Sequence, residues 1–194
     1  AIVVCVATQS YHRKFQPGGF HMKRILTVVC CLFLCSISAM AQKMAAKEKA
    51  MRDQRFVDFV AQIDMVEANL GQLAKAEGVS QSVKDCAQLA ITDQTNDFRE
   101  LSGLARQAGL RVPSAIDTQN NRTLIVPLQR LKGETFDRQY IQKMIAEDAR
   151  AIAIYKKEAV DAETPALKSY ANKTLPVLEK HLASAKDIEK TKAS

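Results

Sequence analysis

The hydrophobic pattern after residue 42 is helical throughout. Apolar side chains recur three and four positions apart, the spacing that places them on one face of an amphipathic α-helix. We predict helices at about residues 47–77, 81–108 and 134–160. A fourth begins at Thr164-Pro165, where a capping threonine precedes a proline at the first helical position. Pro176 inside this fourth helix predicts a kink.

The connections between these helices are unequal in length. Only a few residues join helices one and two, or three and four, so each pair is predicted to form an antiparallel hairpin. Residues 110–133 join the two hairpins, and a connection of this length predicts a short helix of its own, around Leu128–Leu131. Two hairpins joined by one long crossover form the topology of ferritin-like bundles. The predicted fold class is therefore an all-α, ferritin-like four-helix bundle.

The first 41 residues have a different pattern. Met22-Lys23-Arg24 precedes a short apolar run and then Ala39-Met40-Ala41, which is the order of a secretory signal peptide. The run is shorter than the ~20 residues of a membrane-spanning helix, and no cysteine in it follows the small residues of a lipoprotein signal. We predict a disordered upstream extension at 1–21, a signal peptide at 22–41, and a helical domain at 42–194. Cleavage between Ala41 and Gln42 would export this domain to the periplasm or cell envelope.

Composition and charge narrow the function classes. The chain has 47% hydrophobic and 25% charged residues, only 7 Gly and 5 Pro, and no Trp, a composition typical of a helical globular domain. Four of the 28 basic residues and none of the 21 acidic residues precede residue 42, which leaves a net charge of +3 in the domain. These charges are interspersed along the helices, so no nucleic-acid-binding surface is predicted.

Catalytic motifs are absent from the sequence. It has no Gly-rich phosphate loop, no Cys-x-x-Cys pair and no Gly-x-Ser-x-Gly elbow. Cys86 is the only cysteine of the predicted domain, which therefore forms no internal disulfide. It shares a helix face with alanine and valine residues, which favours a small core residue over a reactive thiol.

Each apolar stripe is interrupted once, near its middle, by a polar residue. These residues are Glu67, Gln94, Asp148 and His181, one on each helix. With the rise of ~1.5 Å per residue and hairpin turns at opposite ends, all four fall in a central band about 11 Å deep. Glu67, Asp148 and His181 could then bind a single divalent metal ion, with Gln94 as an orienting group. The alternative is a satisfied polar layer that fixes helix register, or residues at the stripe edge that reach water.

The donor set excludes one kind of metal chemistry. Di-iron bundles of this topology carry Glu-x-x-His on two helices, and no helix here has that spacing, since Leu178 stands three residues before His181. The predicted site is therefore at most mononuclear, and no catalytic residue is assigned.

The chain from about residue 56 to 186 resembles the bacterial ferritin-like domain of unknown function whose members are often labelled predicted outer-membrane proteins. The residues that carry the resemblance are Phe56-Val57, Glu67, Leu70-Gly71, Val83-Lys84, Asp93, Glu100-Leu101, residues 131–133, residues 136–140, residues 155–159 and residues 174–182. The resemblance implies a periplasmic or envelope-associated bundle with no established activity. It also implies histidines where this sequence has Gln94 and Asp148, whereas Glu67 and His181 are kept.

Two classes of function follow from these observations. The leading one is an exported, non-enzymatic bundle with a binding or stress-related role, in peripheral contact with the envelope. The alternative is a ferritin-like metal-binding protein with a degenerate site in the middle of the bundle. A third hypothesis is an interaction module, in which a homo-oligomer packs spare apolar surface at Ile125, Val126 and Ile154. The partners themselves are not predicted.

Overall fold

Long helices make up most of this computed structural model, which describes residues 19–193, with side chains from residue 40 to residue 191. In chain order the elements are α1 (Gly19–Glu77), α2 (Gln81–Gln107), α3 (Thr118–Asn120), a π-helical turn (Asn121–Ile125), α4 (Val126–Gln129), α5 (Gly133–Asp161) and α6 (Pro165–Ala193). The described residues contain no strand, which confirms the all-α class.

Both ends of α2 and of α5 agree with the sequence prediction to within one residue. The start of α6 agrees as well, and its end was not predicted. Pro176 lies inside α6, which continues on both sides of it. α1 begins far before the predicted residue 47, because the apolar segment of the predicted signal peptide is itself helical. The predicted extension lies mostly outside the described residues, and the signal peptide stays a prediction.

The chain divides into two units, residues 1–45 and 46–194. In the first unit, residues 40–45 are exposed on α1. The second unit contains all of the packed core described below. None of the helices in the described part of the chain is long and apolar enough to cross a membrane.

The crossover between α2 and α5 contains helix earlier than predicted. The predicted range of Leu128–Leu131 is too late, because the helical stretch already begins at Thr118 and ends at Gln129. Its start is capped by Asp117, whose carboxylate accepts the Asn120 N–H at 2.7 Å. Gln62 on α1 holds the preceding backbone by donating to the Ala115 carbonyl at 2.9 Å. A side chain from a distant helix therefore positions the segment, which local sequence does not reveal.

The two short turns are each capped by an aspartate from a helix of the other hairpin. Asp137 near the start of α5 accepts the N–H groups of Val79 and Ser80 at 3.1 and 2.9 Å. Asp53 on α1 accepts the Thr164 N–H at 3.0 Å and also the Thr164 hydroxyl. The start of α5 thus lies at the α1–α2 turn, while Asp53 lies at the α5–α6 turn. α1 and α5 therefore run antiparallel, with the two turns at opposite ends.

The core consists of two apolar clusters. One is built around residues 66–74, 83–90, 124–128 and 136–144, with Ala185. The other is built around residues 56–61, 101–105, 151–155 and 167–178. The stretch of helix between the two clusters contains Gln94 on α2, Asp148 on α5 and His181 on α6. On α1, Glu67 lies just beyond the corresponding stretch. The predicted central band therefore coincides with the junction between the two apolar halves.

One residue of the predicted spare apolar surface is not available for association. Ile125 is only 3% exposed and packs in the first cluster, because the π-helical turn points it at the core. Val126 and Ile154 are half-buried. The proposed homo-oligomer surface loses one of its three residues, and the oligomeric state stays a prediction.

Candidate functional site

Glu67 and Gln94 are joined directly inside the core. The Gln94 amide donates to Oε2 of Glu67, whereas Oε1 of the same carboxyl is buried without a hydrogen-bond partner. Burial raises the pKa of Glu67 well above its ordinary value, and the nearby charge of Asp148 raises it further. The hydrogen bond from Gln94 opposes this shift. Glu67 is therefore a fully buried acid that favours its neutral form unless a cation lies near it.

Asp148 on α5 is the least satisfied acid of the band. It is 1% exposed, and neither carboxyl oxygen has a hydrogen-bond partner. Burial raises its pKa to about 7, with a smaller contribution from the neighbouring charge of Glu147. Near neutral pH this carboxyl therefore changes charge easily, and it would gain from any donor or cation that approached it.

His181 on α6 pairs with an acid that the site prediction did not include. Its Nε2 lies 2.8 Å from Oδ2 of Asp93 on α2. The imidazole keeps only 15% of its surface exposed, against 38% for the aspartate. In the neutral tautomer that donates from Nε2 to Asp93, the lone pair on Nδ1 remains available as a ligand.

A cavity of about 390 Å³ lies between α2, α5 and α6, at the level of these residues. We call it the central cavity. Its wall is formed by Cys86, Leu89, Ala90, Asp93, Met144, Asp148, Pro176, Val177, Lys180, His181 and Ser184. A volume of this size falls at the lower end of the range for small-ligand sites. The cavity is therefore large enough for a hydrated ion or a small molecule.

The sulfur atoms of Cys86 and Met144 also belong to this wall. Cys86 is half-buried, and Met144 is 2% exposed. Burial raises the pKa of the Cys86 thiol to about 11, with smaller contributions from the charges of Asp148 and Glu67. The thiol is therefore protonated at neutral pH, in keeping with the prediction that it is not a reactive nucleophile.

A second buried polar group lies on the other side of the band. The hydroxyls of Tyr155 and Tyr170 both donate to Oδ2 of Asp97, the first at 3.0 Å, and Thr174 donates to Oδ1 at 3.4 Å. Burial raises the pKa of Asp97, while its hydrogen bonds to the tyrosines lower it. This acid is satisfied by three hydroxyl groups, so its role is structural.

The structure brings the predicted site residues together in two pairs. Asp148 and His181 line the same cavity, while Glu67 is bonded to Gln94 and lies close enough to Asp148 for their charges to interact. Where side chains are described, no group of three or more His, Cys, Asp and Glu residues is arranged to hold a metal ion. The four residues lie at the junction of the two apolar clusters, and the metal site stays a prediction.

Asp93, Cys86 and Met144 are potential donors on the cavity wall that the site prediction did not include. Asp93 precedes the interrupting Gln94 and therefore sits at the edge of the α2 stripe. Cys86, seven residues earlier, lies on the same helix face. Met144 stands one turn before Asp148 on the apolar face of α5. Helical spacing from Asp93 and Asp148 would have identified both sulfur residues.

The fold and this cavity define the protein as an all-helical bundle with a cavity between its helices, lined by apolar side chains and a few polar ones. The model of the family described as "Domain of unknown function (DUF4142)" matches residues 38–188. The chain belongs to that family, which agrees with the resemblance to an uncharacterised domain. No curated protein sequence matches the chain.

Solved structures share the fold. A DUF305 fragment from Deinococcus radiodurans superposes with a TM-score of 0.63 at 16% identity, over 72% of this chain and 96% of that one. CopM in its Cu(II)-bound form gives a TM-score of 0.62 at 17% identity, and its Ag-bound form gives 0.58 at 18%. Both forms are covered to 96%, again by 72% of this chain. Identities this low show similarity of fold alone.

Proposed function

We propose that this protein is an exported, non-enzymatic metal-binding bundle that holds one metal ion in the central cavity, beside Asp148 and His181. The observation that carries the proposal is the Asp148 carboxyl, which is buried on the cavity wall with neither oxygen hydrogen-bonded. An unpartnered buried carboxylate costs several kcal/mol, on the order of the penalty for burying any isolated charge. A cation beside it removes that cost.

The remaining donors follow from the contacts of the band. Asp93 can fix the imidazole of His181 so that Nδ1 is presented to the ion, as carboxylates do for histidine ligands in metal proteins. Glu67 supplies a second carboxyl near Asp148, and Gln94 holds its other oxygen. Because these groups are not arranged as a closed set, binding requires rotation of at least one side chain. A site that must be assembled in this way binds more weakly than a preformed one.

The comparisons support metal as the class of ligand. CopM, which shares the fold, has been solved in a Cu(II)-bound and in an Ag-bound form. The similarity does not transfer any ligand residue, so the donors proposed for this chain rest on its own cavity. The ferritin-like arrangement of the helices is likewise part of this proposal.

The proposed location follows from the sequence. A signal peptide at residues 22–41 would deliver the domain to the periplasm. There its amphipathic helices could contact the envelope peripherally. Expression from Met22 and mass analysis of the exported product tests this step directly. A mature chain beginning at Gln42 is expected, and a retained amino terminus would contradict it.

Metal content of the exported protein tests the function. We expect one ion per chain after dialysis against copper, zinc or manganese and removal of free metal, and loss of that ion in the Asp148→Asn variant. Asp187→Asn is the matched control, because Asp187 is an exposed aspartate on α6 away from the cavity wall. Absence of stoichiometric metal, with Asp148→Asn less stable than the parent, would make the polar band a structural layer.

A further inference from the structure

Two sulfur donors from different helices face one cavity that also contains an unpartnered acid. Cys86 comes from α2 and Met144 from α5, while Asp148 on α5 and His181 on α6 line the same wall. Cys86 is the one free cysteine among the residues whose side chains the structure describes, 40–191. The wall thus holds a thiol, a thioether, an imidazole and two carboxyls, together with the ammonium group of Lys180 and the hydroxyl of Ser184.

The helix geometry explains why these groups meet. Met144 and Asp148 are four residues apart on α5, which places their side chains next to each other on one face. Cys86 and Asp93 are seven residues apart on α2, two turns along the same face, and Asp93 binds His181 across the gap to α6. Cys86 and Asp148 line the same wall, and burial, with the charges of Asp148 and Glu67, raises the pKa of the thiol.

The two sulfur residues belong to the first apolar cluster and also border the cavity of about 390 Å³. The same cavity is bordered by Asp148, which is 1% exposed and has no hydrogen-bond partner for either oxygen. The buried acid is a second, independent indication that something polar or cationic occupies the space.

Taking metal binding in this cavity from the proposed function, we propose that the ion is soft and monovalent, of the Cu(I) type, with the Cys86 thiolate and the Met144 thioether as donors. Thiolate and thioether ligands select such ions, whereas carboxylates and water suit hard cations. On binding, the thiol gives up its proton to solvent and the sulfur forms the bond to the metal. The ion then offsets the charge of the thiolate, which would otherwise be costly to bury.

Competition between ions tests this assignment. The exported protein is titrated without oxygen against a coloured Cu(I) chelator, and separately against a Zn(II) chelator. We expect one Cu(I) per chain and much weaker Zn(II) binding. Cys86→Ser should weaken Cu(I) binding by at least the roughly 10–100-fold that loss of a supporting residue costs at a metal site. Met144→Leu should weaken it less, because a thioether is a neutral donor.

Two controls separate ligand loss from damage to the fold. Met65→Leu replaces another partly buried methionine, on α1 and outside the cavity wall, and should leave the affinity unchanged. Alkylation of Cys86 by iodoacetamide gives a readout independent of affinity. Bound Cu(I) should slow it at least about tenfold, in the parent and in Met65→Leu.

The outcomes are distinguishable from failure of the proposed function. If no ion of any kind binds stoichiometrically, the metal-binding function itself is wrong. If one ion binds with Cu(I) affinity unchanged in both Cys86→Ser and Met144→Leu, the function stands and the sulfur assignment is overturned. Equal retention of Zn(II) and Cu(I) by the parent would overturn it in the same way.

Discussion

The imidazole of His181 is anchored by Asp93, whose Oδ2 lies 2.8 Å from Nε2 across the space between α6 and α2. This contact joins the two helices at the edge of the central cavity. It also decides which ring nitrogen is free, since a neutral imidazole that donates to Asp93 can bind a ligand only through Nδ1. Asp93 therefore acts on the proposed site through His181.

Removal of that anchor should weaken metal binding without removing a ligand. We expect Asp93→Asn to lower the affinity for the ion about tenfold, within the range known for supporting residues of metal-bound histidines. The stoichiometry should remain one ion per chain, unlike in Asp148→Asn. A titration of both variants measures the difference, and an unchanged affinity in Asp93→Asn would show that the charge of Asp93 does not support the site.

The contact between α1 and α2 at Gly71 gives a prediction about stability. A Cβ at this position would lie 2.9 Å from the Ala87 carbonyl oxygen and 2.8 Å from a side-chain carbon of Ile91. Because the carbonyl belongs to the backbone of α2, the helices must separate to admit it. Gly71→Ala should lower the free energy of unfolding by about 1–3 kcal/mol, the usual cost of overpacking.

Gly103 on the same pair of helices is the matched control. A Cβ there meets nothing within 4 Å, and Gly103 lies in the interior of α2. Gly103→Ala should therefore raise the free energy of unfolding by roughly 0.5–1 kcal/mol, through the higher helix propensity of alanine. Chemical denaturation of both variants tests the contrast. Equal effects of the two substitutions would contradict the close approach of α1 and α2.

The cap that Asp53 gives to the α5–α6 turn supports a third prediction. Its carboxylate accepts the backbone N–H groups of Glu163 and Thr164 at 3.3 and 3.0 Å, and it is 2% exposed. Asp53→Asn replaces one acceptor oxygen by an amide that points its own hydrogens at these donors. We expect a loss of about 1.5–3 kcal/mol in the free energy of unfolding, as for hydrogen bonds to charged groups. Asp187→Asn at an exposed position should have almost no effect.

Much of the fold could be predicted because helix signals are local. The serine cap at Ser80 and the Thr164-Pro165 pair are short motifs, and the structure begins α2 and α6 at the residues that follow Ser80 and Thr164. The crossover helix was placed too late because its position depends on Gln62, which lies more than 50 residues away. No local pattern contains that contact.

The site was predictable in level but not in its pairings. Glu67, Gln94, Asp148 and His181 interrupt four apolar stripes, and helix length alone fixes how far along the bundle they lie. Whether His181 meets Asp148 or Asp93 depends on the rotation of α6 about its axis. That rotation is set by packing against three other helices, and a shift of one residue in sequence corresponds to about 100°. The partners of each residue therefore had to come from the structure.

Glu158 near the end of α5 gives a prediction about pH. It is 4% exposed, Oε1 has no hydrogen-bond partner, and burial raises its pKa from an ordinary value of 4.5 to about 7, with the charge of Asp53 adding to the shift. Between pH 4.5 and about pH 7, Glu158 is therefore protonated in the folded state and ionised in the unfolded state. The stabilisation from this group is complete below about pH 4.5 and is lost as the pH rises through about 7.

Glu158→Gln removes this dependence because an amide of the same shape does not ionise. The parent should lose more stability than the variant between pH 5 and pH 8, by about 1–2 kcal/mol after allowance for the solvent contact that the side chain keeps. Denaturant unfolding of both proteins at the two pH values measures this difference. The other buried acids contribute equally to parent and variant, so their contributions cancel. Glu189→Gln, at an exposed position on α6, serves as the control and should change with pH as the parent does. A parent and a Glu158→Gln variant with the same pH dependence would mean that Glu158 is solvated in the folded protein.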